Sequence, residues 1–139
     1  MATISNDSLL VEGVNNTTVR VTVKYTLTPN AVEKLAGTVF SENIQLIGDD
    51  PLVLNDRTIA TFPADAFAVS NATPSVQRTR IRNVLKSAMN EDQGTVSTGA
   101  EQTDEVFARI ALAYAANPPI PSALPSPAPT NRVSGAWKP

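Results

Sequence analysis

Val19-Arg20-Val21-Thr22-Val23-Lys24-Tyr25-Thr26-Leu27 carries the clearest periodicity in the chain. Val19, Val21, Val23, Tyr25 and Leu27 fall on one side at a period of two. Arg20, Thr22, Lys24 and Thr26 fall on the other. This alternation predicts a β-strand with one buried and one wet face. Its β-branched residues agree with that reading. Gly13-Val14-Asn15-Asn16 is turn chemistry, and the apolar run Leu9-Leu10-Val11 lies before it. Together they predict a hairpin.

Working outward, Thr28-Pro29-Asn30 ends the strand, and residues 31–35 read as one helical turn. Thr38-Val39-Phe40 and Ile44-Gln45-Leu46-Ile47 read as two extended pieces, stopped by the turn Gly48-Asp49-Asp50-Pro51. Residues 58–62 read as a further strand closed by Pro63. Thr73-Pro74-Ser75 has the form of a helix start, with Thr as N-cap and Pro at the first helical position. Val76, Ile81, Val84, Leu85 and Ala88 then lie near one side at helical spacing, so a helix is expected over 75–89. A strand is the rival, because Arg78, Arg80 and Arg82 alternate with Thr79 and Ile81. Residues 106–114 are ambiguous in the same way. Alternation of Val106, Ala108, Ile110, Leu112 and Tyr114 favours strand. The Ala content and the acids of Thr103-Asp104-Glu105, placed to suit a helix dipole, put helix slightly ahead.

Composition changes at Asn117: seven of the eleven prolines lie from Pro118 onward. Such chain adopts extended polyproline II and has no core of its own. The domain organisation expected is a single β-rich globular domain, 1–116, followed by an extended Pro-rich arm, 117–139, with Trp137 near its end as an anchor. The fold class is β-rich, mainly β or α+β: a small antiparallel β-sandwich-like domain with one or two short helices.

The 139 residues include no histidine and no cysteine. That removes imidazole bases, thiolate nucleophiles, disulfides and the nitrogen and sulfur ligands of zinc, haem and iron–sulfur clusters. No Gly-rich phosphate loop or Ser-Lys arrangement replaces them. A carboxylate pair acting as acid and base in glycoside hydrolysis has no marked candidates and little room in so small a domain. A non-enzyme is expected. The net charge of −2 gives no global field toward nucleic acid or an anionic membrane. The first residues carry no basic and apolar leader pattern, and no segment has the length of a membrane span, so a cytoplasmic or particle-associated protein is expected.

Two constellations stand out. Arg78, Arg80, Arg82 and Lys86 form a basic stripe, suited to phosphates or to a partner's carboxylates if solvated, and otherwise to ion pairs with acidic turns. Acidic pairs at predicted turns, Asp49-Asp50 and Glu91-Asp92, are the candidates for calcium. Turns and helix starts are enriched in acids anyway, and no EF-hand spacing is present. No other cofactor is indicated.

The segment from Thr103-Asp104-Glu105 through Ala116-Asn117-Pro118-Pro119-Ile120-Pro121-Ser122-Ala123 faintly resembles the end of single-stranded RNA phage coat proteins, where an acid-capped helix runs into a proline-bearing tail. Those coats place their strands directly before that helix. Here a polar loop and an expected helix intervene. The resemblance implies a particle protein.

Two functions are therefore expected, in order. The first is a non-catalytic structural subunit that assembles with copies of itself or a larger particle, such as a virion or sheath, through surface contacts and its arm. The second is a calcium-dependent accessory module whose acidic loops present a protein or carbohydrate ligand.

Overall fold

Thr3–Gly13 (β1) and Thr18–Thr28 (β2) form the expected antiparallel hairpin. This computed structural model describes residues 2–49, 57–89, 104–120, 124–131 and 133–135. Val19, Val21, Val23, Tyr25 and Leu27 are all buried, as their alternation requires. The Thr18 carbonyl accepts from the amides of Val14 and Asn15, and the Asn15 side chain accepts from the Thr17 amide, closing the turn. In β1 the register shifts between Ser5 and Ser8. Asn6 sits there at φ 54°, a left-handed conformation that Asn tolerates better than most residues.

A short helix, Ala31–Ala36 (α1), follows. The Asn30 side chain accepts from the Glu33 amide and the Glu33 carboxylate from the Asn30 amide, each at 2.8 Å. This reciprocal capping box satisfies two amides that the helix start would leave open. Gly37, at φ 65°, ends the helix in the left-handed conformation glycine adopts without penalty.

Val39–Asp49 (β3) is one continuous strand, not two pieces. On one side it pairs with Arg57–Thr61 (β4) and Asp65–Ala68 (β5). On the other it pairs with Asp104–Ala116 (β7). Val76–Leu85 (β6) pairs along the length of β2. The result is two antiparallel sheets, β1-β2-β6 and β4-β3-β7-β8 with β5 and β9 beside this path. Their inner faces share one core containing Leu9, Val21, Val23, Phe40, Ile44, Leu46, Phe62 and Ile110.

Two sequence expectations are corrected. The helix expected over 75–89 is strand β6 followed by a single helical turn, Lys86–Met89 (α2). Thr73 is not an N-cap: its amide donates to the Ser70 carbonyl in a turn. The strand wins because the free ladder of β2 needs a partner, and because the three arginines find acceptors on the facing sheet. The lean toward helix over 106–114 is also wrong. Val106, Ala108, Ile110 and Leu112 are buried as one strand face, so core packing and the β3 ladder override alanine's helix preference. The acid-capped helix implied by the phage-coat resemblance is therefore absent.

The arm folds back on its own domain. Ala128–Pro129 (β8) and Val133–Gly135 (β9) both pair with β7. Between them the Thr130 amide donates to the Ala108 carbonyl at 2.8 Å, and the Thr130 hydroxyl accepts from the Ala108 amide at 2.9 Å. The next residue, Asn131, accepts from the Leu9 amide and donates to the Leu9 carbonyl through its side-chain amide. Thr130 thus continues the edge of one sheet, and Asn131 stitches it to the edge of the other.

Candidate functional site

Glu42 lies on the inner face of β3, in line with Phe40, Ile44 and Leu46, and is only 1% exposed. A carboxylate there requires compensation, since burying an unpaired charge is costly. Three donors supply it. Tyr25 on β2 donates its hydroxyl to Oε2. Arg78 Nε reaches the same oxygen at 3.1 Å, and Arg80 Nη1 reaches Oε1 at 2.5 Å. Asp65, at the start of β5, accepts from Arg78 Nη2 at 2.5 Å. The Arg78 guanidinium also lies 4.6 Å from the centre of the Phe67 ring.

The main chain completes this clasp. Arg80 Nη2 donates to the Pro63 carbonyl at 2.7 Å, and Arg82 donates to that of Thr61. The strand alternation of β6 turns all three arginines toward the facing sheet. Val76 and Val84 share that inner side, whereas Gln77, Thr79, Ile81, Asn83 and Leu85 point outward.

Protonation follows the same geometry. Burial pushes the Tyr25 phenol well above its usual value, and the Glu42 carboxylate it bonds pushes it further. The hydrogen bond from Arg78, with help from the Ala66 amide, holds Asp65 below the usual carboxylate range. Burial alone would lower the Arg78 pKa, but its bonds to Glu42 and Asp65 outweigh that and raise it. Glu42 has both oxygens engaged and no exposed side-chain surface. The arrangement is suited to joining two sheets, not to holding a reacting molecule.

The sequence-predicted residues are distributed as follows. Arg78, Arg80 and Arg82 are brought together on one strand face, directed inward. Lys86 lies beyond the strand, at the start of α2. Asp49 ends β3, and its side chain lies outside the described set, as do Asp50, Glu91, Asp92 and the arm anchor Trp137. Among the described residues no group of acids is arranged to hold a metal ion, and no helix is long and apolar enough to cross a membrane.

Sequence reasoning missed Glu42, Asp65, Tyr25 and Asn131. For Glu42 a signal existed: reading 39–49 as one strand places a charge in the middle of an apolar face. Nothing local marks Asn131. Two surface depressions lie among the described residues. One, of about 290 Å³, is lined by Asn6, Ser8, Lys24, Thr26, Gln77 and Thr79 among others. The other, of about 220 Å³, runs between β4 and β6, beside Ile59, Ala60, Val84, Leu85 and Ala88.

No known family model matches this sequence, and no curated protein matches it.

Proposed function

We propose that the chain is a non-catalytic structural subunit that assembles with copies of itself into a larger particle, such as a virion or sheath. The observation that carries this reading is a pair of exposed apolar side chains, Leu10 and Ile81, flanking the buried Thr22 on the outside of the three-stranded sheet. Leu10, Thr22 and Ile81 stand in register across β1, β2 and β6. Leu10 is 53% exposed and Ile81 59%; Leu85, further along β6, is 58% exposed. A sheet face turned permanently to water carries polar residues at such positions, and grouped apolar ones mark a contact surface.

Two further features support the reading. A chain without histidine or cysteine lacks the commonest catalytic groups. Arg78, Arg80 and Arg82, engaged in an internal clasp, suit a rigid building block better than a phosphate-binding face. Electron microscopy of the purified protein tests the proposal. Ordered particles, filaments or discrete oligomers support it; a preparation of isolated monomers at high concentration contradicts it.

A further inference from the structure

We infer that two copies of this chain associate through antiparallel pairing of β6 with β6, about a two-fold axis passing beside Ile81. The inference deepens the assembly reading above and rests on it.

The edge of β6 away from β2 has a definite pattern of main-chain groups. In an antiparallel ladder the N–H and C=O of one residue point to the same neighbour, and those of the next residue point the other way. The Lys86 amide donates to the Thr17 carbonyl on the β2 side at 2.8 Å. The β2–β6 register runs without a bulge from Leu27–Val76 to Thr18–Leu85. The main-chain groups of Val84, Arg82, Arg80, Arg78 and Val76 therefore face β2. Those of Gln77, Thr79, Ile81, Asn83 and Leu85 face outward. Among the described residues no strand pairs with that side.

Two other sheet edges are handled differently. β1 is interrupted by its register shift at Asn6 and clipped by Asn131. The far side of β7 is covered by β8 and β9. Of the usual protections of an exposed edge, β6 lacks proline, a bulge and a lysine within the strand, and has only inward-turned charges. Its arginines are turned inward onto Glu42, Asp65 and two carbonyls.

The outward set is self-complementary. Ile81 is its centre. A two-fold there sets Ile81 against Ile81 of the second copy, Thr79 against Asn83 and Gln77 against Leu85. Every outward amide and carbonyl then gains a partner, each pair exchanging two bonds. None of the five side chains is charged, so no like charges meet on that face. Ile81 of each copy then meets the other, and Leu10 closes the row at either end of a six-stranded sheet, with Thr22 covered between them.

Introducing cysteine at position 81 provides the test, because the chain has no other thiol. In a paired ladder the two α-carbons lie about 5.5 Å apart, within the range a disulfide spans. Under mild oxidation Ile81→Cys is expected to form a covalent dimer at least about tenfold faster than Leu35→Cys, a control on α1 at a site 75% exposed. Ile81→Lys leaves the core untouched and places like charges opposite each other. It is expected to weaken dimerisation about tenfold or more in sedimentation, with an unchanged circular dichroism spectrum. A native chain that oligomerises, yet shows no preference for cross-linking at position 81 and no effect of Ile81→Lys, overturns the β6 pairing and leaves the assembly reading standing. A native chain that stays monomeric at every concentration overturns both.

Discussion

Arg80 on β6 and Glu42 on β3 face each other across the sandwich, joined at 2.5 Å between Nη1 and Oε1. The two residues belong to different sheets, so their bond is a tie between layers. Glu42 is also the acceptor for Arg78 and Tyr25, which makes it the centre of that tie. Removing one partner of a buried ion pair strands the others, and typically costs about 3–5 kcal/mol. Because the arginines keep some solvent contact, Glu42→Gln is expected near the lower end, about 3 kcal/mol in urea unfolding. The matching fall in melting temperature is about 10 °C.

Tyr25 gives an alkaline signature. Its folded pKa is raised, by burial first and by Glu42 second. Above pH about 10 the unfolded chain releases this proton while the folded chain keeps it, so stability falls as pH rises. Of the two tyrosines, Tyr25 is expected to ionise only on unfolding, as followed by the ultraviolet absorbance of tyrosinate. Tyr25→Phe is expected to lose about 1–3 kcal/mol at neutral pH and to show a flatter alkaline decline.

Asp65 gives the acid counterpart. Its folded pKa is depressed, chiefly by the hydrogen bond from Arg78. The stability it contributes is present above its unfolded pKa of about 4 and is lost as pH falls through the folded value. Melting temperatures of the native chain and Asp65→Asn should differ at neutral pH and converge toward pH 2, the gap closing below about pH 4. A gap that stays constant with pH would show that the Arg78–Asp65 pair adds no charge-dependent stability.

Asn131 and Leu9 report on the arm. The Asn131 side chain meets both main-chain groups of Leu9, at 2.8 and 3.2 Å. Asn131→Ala is expected to cost about 1–2 kcal/mol. Hydrogen exchange should locate the effect: the Leu9 amide loses protection, while the Val23 amide inside the hairpin sheet keeps it.

These residues also show how much of the molecule was legible in the chain. β2 was legible because its periodicity is uninterrupted and each buried position carries an apolar side chain. β6 was not, because its inward positions hold Arg78, Arg80 and Arg82, which look solvent-facing until Glu42 and Asp65 are known to lie opposite. β7 carries as much alanine as a helix would, and only the β3 ladder beside it decides the matter. The prolines announced an extended arm. The surface that receives it depends on Thr130 meeting Ala108 and Asn131 meeting Leu9, contacts too distant in sequence to leave a local pattern.

The solution mass of the full chain decides whether it self-associates. Light scattering on a size-exclusion column, run over a wide range of loading concentrations, should give a mass that rises above the 14.7 kDa of one chain and reaches at least twice that value. A mass fixed at 14.7 kDa at every concentration would show that the chain does not self-associate.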